Sequence, residues 1–179
     1  MLYQLQSEKV YNTAISYLQN AKDAEEITQD VFITVFDKIT HFKQGSKLST
    51  WMYRITINKS INFIKKRKRH QLMSLGLLKN DPSDFNHPGI QLEHKEEGVE
   101  LFKQIDQLAP NQKTAFILVY IEHLPQQEVA DILETTVKAV ESLLQRAKTK
   151  LKANINFYQP KEKVLSRCLN KKRKWKINF

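Results

Sequence analysis

The sequence predicts an all-helical protein: a helical bundle and a helix-turn-helix unit, two small domains joined by a flexible linker. Its 179 residues contain only 4 Gly and 5 Pro, too few for a fold that depends on many tight turns. Apolar residues recur at helical spacing on both sides of a central turn-rich segment. The length is sufficient for one or two domains of ordinary size.

Charge and cysteine content restrict the class of protein further. There are 29 Lys and Arg residues against 19 Asp and Glu, a net charge of +10, which favours nucleic acid or another anionic partner. Cys168 is the only cysteine, so no intramolecular disulfide can form. The longest apolar run, residues 115–121, is much shorter than the roughly 17–25 residues of a membrane span. We therefore expect a cytoplasmic protein without membrane insertion.

The first well-defined helix is predicted to begin at Ala24, with Asp23 as its N-cap, and to reach about Ile39. One side of this helix carries the predicted core residues Ala24, Ile27, Val31, Val35 and Ile39, with Phe32 beside them. The opposite side carries a narrow stripe of Glu26, Asp30, Ile33 and Asp37. An acidic stripe cannot be the nucleic-acid face. It is either a solvated helix surface or a docking site for a basic partner protein.

A second long helix is predicted to open near Ser49 and Thr50 and to run into the basic block 65–69. One stripe of this helix contains Trp51, Arg54, Asn58, Asn62, Lys65 and Arg69. Such a stripe suits single-stranded nucleic acid, because bases stack on aromatic rings, amides read base edges and cations follow phosphates. The alternative is that Trp51 belongs to the core and the polar groups are only solvated.

A turn-rich, acidic segment separates this helix from the next helical pattern. It contains Gly76, Pro82, Pro88 and Gly89 and shows no sustained helical period. We therefore predict a first domain over 1–69, a linker over 70–97, a second domain over 98–155 and a basic tail over 156–179. A long surface loop within a single domain is the alternative, although such loops are uncommon in compact folds.

The second domain has the pattern of a helix-turn-helix unit. A helix over about 96–108 is followed by another that opens at Pro110, and its apolar run 116–121 is interpreted as helix because its neighbours are helical. A short helix then follows Pro125, and the turn 134–136 leads into a longer helix that begins at Val137. Short helix, tight turn and longer helix are typical of this motif.

The last helix separates an apolar face from a polar one. The predicted buried stripe consists of Val137, Val140, Leu144, Ala147 and Leu151. The outward residues are Lys138, Ser142, Gln145, Arg146 and Thr149. These types suit a DNA major groove, where Arg pairs with guanine, Gln with adenine and Lys with phosphate. Helical hairpins that bind no DNA show a similar pattern.

Enzymatic functions are disfavoured. The sequence has no Gly-rich phosphate loop, and its five histidines do not cluster with cysteine or carboxylates at metal-ligand spacing. We expect no cofactor, no metal and no catalytic site. A stand-alone helix-turn-helix regulator is the main alternative function, and a nuclease or recombinase lacks the gathered catalytic groups it would need.

Taken together, three segments resemble the extracytoplasmic-function (ECF) sigma factors, the minimal two-domain specificity subunits of bacterial RNA polymerase. The segments are 24–36, 48–55 with Asn58, and 111–151. The resemblance covers most of 3–69 and 98–153. It implies a sigma region 2-like domain that melts and captures the −10 element, followed by a sigma region 4-like domain that reads the −35 element as duplex.

The resemblance also implies roles for individual residues. The docking set Glu26, Asp30, Ile33 and Asp37 would contact the clamp helices of the largest core polymerase subunit. The loop from Lys43 to Leu48 corresponds to the segment that pockets a flipped −10 base. The single-strand set is then Lys43, Leu48, Trp51, Arg54, Asn58 and Asn62. An anti-sigma factor, often membrane-anchored in this family, is a further expected partner.

Three features depart from the family pattern. Pro125 stands where a Ser or Thr cap is usual, and Pro also suits a helix start. Glu141 and Leu143 occupy positions that are often basic, so the −35 sequence cannot be taken from better-known relatives. We recognise no counterpart of the basic tail in the family, and it is either a phosphate-binding arm or a solvated extension.

Overall fold

The computed structural model describes residues 2–42, 45, 47–73 and 95–158. Within these ranges the chain forms seven α-helices and no strand. The helices are α1 Leu2–Leu18, α2 Ala21–Lys38, α3 Leu48–Met73, α4 Lys95–Asp106, α5 Pro110–Phe116, α6 Gln126–Ile132 and α7 Val137–Tyr158. We call α1–α3 the N-terminal unit and α4–α7 the C-terminal unit. The all-helical prediction is confirmed.

Helix α2 begins three residues earlier than predicted. Asn20 has an extended backbone and its side-chain oxygen accepts a hydrogen bond from the Asp23 backbone N–H at 3.0 Å. The prediction of Asp23 as the N-cap is therefore wrong. The Asp23 carboxylate instead accepts a hydrogen bond from Arg67 Nη1 of α3 at 2.7 Å, which ties two helices of the N-terminal unit together.

The predicted core of α2 is confirmed except at its end. Ala24, Ile27, Val31 and Val35 are buried against α1 and α3. Ile39 is 39% exposed, so its assignment to the core is wrong. The physical reason is that the α-helix stops at Lys38 and continues as a 3₁₀ turn, Ile39–His41, which rotates this side chain away from the core stripe.

Helix α3 packs against α1, α2 and α6 and runs three residues beyond the basic block and His70, to Met73. Its buried hydroxyl groups are satisfied within the helix: Thr56 Oγ1 donates to the Met52 carbonyl and Ser60 Oγ to the Thr56 carbonyl, both at 2.8 Å. The predicted linker therefore begins within a helix. Most of that linker, 74–94, lies outside the described residues, as does most of the predicted tail 156–179, of which residues 156–158 belong to α7.

The C-terminal unit has the predicted order of helices. Pro110 occupies the first position of α5, which continues into a π-helical turn, Ile117–Ile121, whose five side chains are all buried. The helical interpretation of this apolar run is thus confirmed. Thr136 Oγ1 accepts a hydrogen bond from the Ala139 backbone N–H at 3.2 Å, which confirms a threonine cap at the start of α7.

The two units pack against each other. Helix α1 contacts the π-helical turn, and α3 contacts α6. Tyr17 Oη donates a buried hydrogen bond to Thr114 Oγ1 at 2.6 Å, and Gln19 Nε2 donates to Asp106 Oδ2 at 2.6 Å. None of the helices in the described part of the chain combines the length and hydropathy that a bilayer span requires.

Candidate DNA-binding and docking surfaces

The outward face of α7 is an open polar surface in the C-terminal unit. The predicted inner residues Val140, Leu144, Ala147 and Leu151 are buried, and Val137 is half-buried. The five predicted reading residues Lys138, Ser142, Gln145, Arg146 and Thr149 are all exposed. The side chain of Thr149 bonds back to the Gln145 carbonyl at 3.0 Å. We call these five residues the α7 stripe.

The helix-turn-helix geometry sets the direction of the α7 stripe. Glu134 takes a left-handed backbone (φ 53°), and the Thr135 N–H bonds to the Ala130 carbonyl at 2.9 Å, which closes the turn tightly after α6. Leu143, which stands where the resemblance led us to expect a basic residue, is half-buried and packs on the core. Glu141 is exposed beside the stripe, where its carboxylate could accept a hydrogen bond from cytosine.

The polar stripe of α3 is only partly open. Asn58, Asn62, Lys65 and Arg69 are exposed. The ring of Trp51 is half-buried and packs on the ring of Phe42, with centroids 5.2 Å apart. Trp51 therefore combines a packed side with an accessible one. Leu48 is half-buried at the start of α3, and Lys43 lies outside the described residues.

Arg54, the remaining member of the α3 stripe, is bound by the C-terminal unit. Its Nε donates to the Ile132 carbonyl at 3.2 Å and its Nη2 donates to the Asp131 carbonyl. These carbonyls lie at the end of α6, where a cation is favoured because helix-terminal carbonyls lack intrahelical partners. Nη1 also donates to Glu134 Oε1 at 2.6 Å. The guanidinium thus spans the boundary between the two units.

The predicted docking stripe of α2 is fully on the surface. Glu26, Asp30 and Asp37 are exposed, and Ile33 is 60% exposed. Phe36, which the sequence interpretation missed, is 83% exposed and extends the apolar centre of this stripe. Its position three residues after Ile33 and one before Asp37 was the available signal, because side chains three apart share a helix face.

One ion pair crosses the edge of this stripe. Lys59 Nζ of α3 lies 3.5 Å from Asp30 Oδ2, and the Asp30 side chain is 51% exposed. Exposed pairs of this kind contribute at most about 1 kcal/mol to stability. Asp30 is therefore available to a partner that offers a better-placed cation.

The residues that join the two units were also missed by the sequence interpretation. No sequence pattern marks Tyr17, Thr114 or Glu122, because periodicity shows which face of a helix is buried but not which distant residue covers that face. Lys113 illustrates this: its ammonium lies 2.6 Å from Asp106 Oδ1 and 4.8 Å from the centroid of the Tyr17 ring. Nothing in the sequence relates these three side chains.

Two family models match the chain. The model described as "Sigma-70 region 2" matches residues 2–70, and the model described as "Sigma-70, region 4" matches residues 99–151. Two solved structures share the fold: the sigma factor RpoE in complex with the anti-sigma factor NepR from Bartonella quintana (TM-score 0.68, 23% identity, 86% of this chain and 94% of that one) and CnrH in complex with the cytosolic domain of CnrY (TM-score 0.62, 20% identity, 88% and 87%).

The chain is also similar in sequence to several curated proteins. The chain is 30% identical over 144 residues to the ECF RNA polymerase sigma factor EcfG of Rhodopseudomonas palustris, covering 78% of this chain and 75% of the relative. It is 28% identical over 156 residues to SigW of Bacillus subtilis, covering 83% of each. It is 27% identical to SigE of Mycolicibacterium smegmatis over 82% of this chain, and there it spans only 57% of the relative's length. The chain belongs to the ECF sigma factor family.

Proposed function

We propose that this chain binds core RNA polymerase and directs it to promoters, without a catalytic site of its own. In this proposal the domains are 1–69 and 98–155, the linker is 70–97 and the basic tail is 156–179. The C-terminal unit reads the −35 element as duplex with the α7 stripe. The N-terminal unit captures the −10 element as single strand with the loop 43–48 and the α3 stripe.

The observation that carries the proposal is the α2 surface. It combines an apolar centre, Ile33 and Phe36, with the surrounding carboxylates Glu26, Asp30 and Asp37. A stand-alone DNA-binding regulator has no use for an acidic, partly apolar surface on a chain of net charge +10. A subunit that docks on a basic protein surface needs one, because exposed apolar side chains rimmed by charge are typical of protein interfaces.

The DNA-reading part of the proposal rests on exposure and chemistry. Arg146 and Gln145 are exposed next to each other on α7, and these two side-chain types make the common bidentate contacts with guanine and adenine. Lys138, near the start of the helix, suits a phosphate contact. On α3, Asn58 and Asn62 offer amides to unpaired bases beside the accessible side of Trp51.

An anti-sigma factor is the third proposed partner. One solved structure that shares this fold, RpoE of Bartonella quintana, is bound to the anti-sigma factor NepR. The localisation we propose is cytoplasmic, which follows from an interaction with polymerase and promoter DNA.

In vitro transcription with core polymerase on a promoter library tests the proposal. We expect transcripts from a small set of promoters that depend on both the chain and the core enzyme. Binding to duplex DNA without core-dependent initiation would instead support the stand-alone regulator. DNA cleavage or strand exchange without core polymerase would support a nuclease or recombinase.

A further inference from the structure

The contact between the two units contains the carboxyl group of Glu122, and one oxygen of this group has no hydrogen-bonding partner there. Glu122 directly follows the π-helical turn, in the part of the C-terminal unit that packs on α1. Glu122 as a whole is half-buried, but its Oε1 is fully buried, and no donor among the described residues lies within hydrogen-bonding distance of that oxygen. An ionised carboxylate in such a place is costly, whereas a neutral carboxylic acid is tolerated.

The backbone holds Glu122 in this position. Its N–H bonds to the Ile117 carbonyl at 3.0 Å, and the Leu124 N–H bonds to the Leu118 carbonyl at 2.9 Å. His123 between them has a left-handed backbone (φ 57°). The segment is therefore fixed on both sides, and the buried Oε1 gains access to water most readily if the two units separate.

The groups around Glu122 supply little positive charge. Helix α1 contributes Lys9, which is exposed, and the Tyr17 hydroxyl, and helix α3 contributes the Tyr53 hydroxyl. Helix α6 contributes Glu128, a second carboxylate that acts on Tyr53, and His123 beside Glu122 is exposed.

The protonation of these groups follows from burial. Burial raises the pKa of Glu122 from 4.5 to about 8, and the charge of Lys9 only partly opposes this. Burial, together with the nearby Glu122, also raises the pKa of Tyr17 and of Tyr53, so both hydroxyls stay neutral.

We propose that closure of the two units on each other takes up a proton at Glu122, so that acid favours the closed form and alkali favours the open form. The sign follows from linkage. The pKa of this carboxyl group is higher in the closed form than in the open form, where it is 4.5. Below pH 4.5 the group is protonated in both forms and does not oppose closure. Closure then weakens as the pH rises from there to about 8, and changes no further above it.

This inference concerns the free chain and does not depend on the proposed function, but its consequence does. In the closed form Arg54 is engaged by the end of α6 and by Glu134, so it cannot contact the −10 strand. Opening releases Arg54 from the turn of the helix-turn-helix unit. Promoter binding and closure therefore compete for the same guanidinium.

The test measures the distance between the units in the full chain, without DNA or polymerase. Fluorescent dyes are attached at Gln29→Cys on α2 and Lys152→Cys on α7, two exposed positions, in a chain with Cys168→Ser. Single-molecule energy transfer then gives the ratio of closed to open molecules between pH 5.5 and 8.5. We expect that ratio to fall with rising pH, by up to about tenfold per pH unit, as one proton is released on opening.

Two variants separate the proton from the contact. Glu122→Gln keeps the size and stays neutral, so we expect more closed molecules at high pH and a flat pH dependence. Glu134→Gln removes the exposed ion pair to Arg54, so we expect fewer closed molecules at every pH and the same pH dependence as the wild type. Circular dichroism verifies that both variants are folded.

A second measurement is made on the wild type: carbon-detected NMR of the Glu122 side-chain carboxyl should show titration well above 4.5, its ordinary pKa. A wild type whose ratio is independent of pH, or one whose pH dependence persists in Glu122→Gln, would overturn the proposal. So would a Glu122 carboxyl that titrates near 4.5 in the closed form. Because no partner is present, these outcomes are distinct from a failure of the transcription test.

Discussion

The N-terminal and C-terminal units differ in how many surfaces each exposes for recognition. The C-terminal unit offers one, the α7 stripe, and all five of its residues are exposed. The N-terminal unit offers two, the acidic α2 stripe and the α3 stripe, and Arg54 of the latter is covered by the other unit. Helix α7 packs on α4, α5 and α6 and keeps its polar face open, whereas α3, packed on α1, α2 and α6, shares its polar face with the other unit through Arg54.

This difference leads to the prediction with the largest expected effect, which concerns docking by the N-terminal unit. Reversing two stripe carboxylates, Asp30→Lys with Asp37→Lys, should weaken binding to core polymerase by several kcal/mol, roughly more than a hundredfold, because like charges would face a basic surface. Binding to −35 duplex should be retained or improved, since phosphate attraction rises. Core binding is measured by fluorescence anisotropy in low and moderate salt.

A matched control carries the same change in charge elsewhere on the unit. Glu8→Lys with Glu25→Lys places two lysines at exposed positions outside the stripe. This control should bind core polymerase nearly as well as the wild type. Equal binding by a folded Asp30/Asp37 double variant would remove the docking role from α2 and favour the stand-alone regulator.

The second prediction concerns the C-terminal unit. Arg146→Ala should weaken binding to the preferred −35 duplex by about 1–3 kcal/mol and relax base choice at one position. Lys138→Ala should weaken all sequences alike, because a phosphate contact carries no base information. Selection from a randomised duplex library, read by sequencing, measures both effects.

Testing both variants in both binding assays shows whether the two units bind different partners. Arg146→Ala should bind core polymerase normally, and the Asp30/Asp37 variant should bind −35 duplex normally. Unchanged affinity and base preference in Arg146→Ala would take this residue out of the reading face. Thr149 is less informative, because its hydroxyl already bonds to the Gln145 carbonyl.

The third prediction tests the open part of the α3 stripe. Asn58→Ala removes an exposed amide and should reduce open-complex formation by about 1 kcal/mol, the usual contribution of one hydrogen bond. Core binding and −35 binding should not change. Permanganate footprinting of unpaired thymines reports strand opening. Normal opening in this variant would show that Asn58 is only a solvated surface residue.

The smallest expected effect concerns the ion pair between α2 and α3. Lys59→Ala removes the cation that lies 3.5 Å from Asp30 and should lower the free energy of unfolding by less than about 1 kcal/mol. Core binding should be unchanged or slightly stronger, because Asp30 becomes more available. Urea unfolding followed by circular dichroism measures the stability, and a clear loss of core affinity would place Lys59 itself in the docking surface.

Much of the fold was predictable because each helix carries its own pattern. The buried stripe of α7, its exposed reading residues and the Thr136 cap all follow from spacing within one helix. The two errors in α2 are local as well. Asn20 caps the helix in place of Asp23, and Ile39 turns outward because a 3₁₀ turn replaces the last α-helical turn.

The helical class, the order of the helices and the apolar face of most helices follow from the sequence, since these depend on residue types three and four positions apart. The hydrogen bond of Tyr17 to Thr114 and that of Arg54 to the Ile132 carbonyl depend on the tertiary structure. These contacts join residues roughly 80 to 100 positions apart, and no periodicity within a helix encodes such pairs. For the same reason the sequence does not distinguish Glu122 from an ordinary polar residue, although the fold buries its Oε1 without a donor.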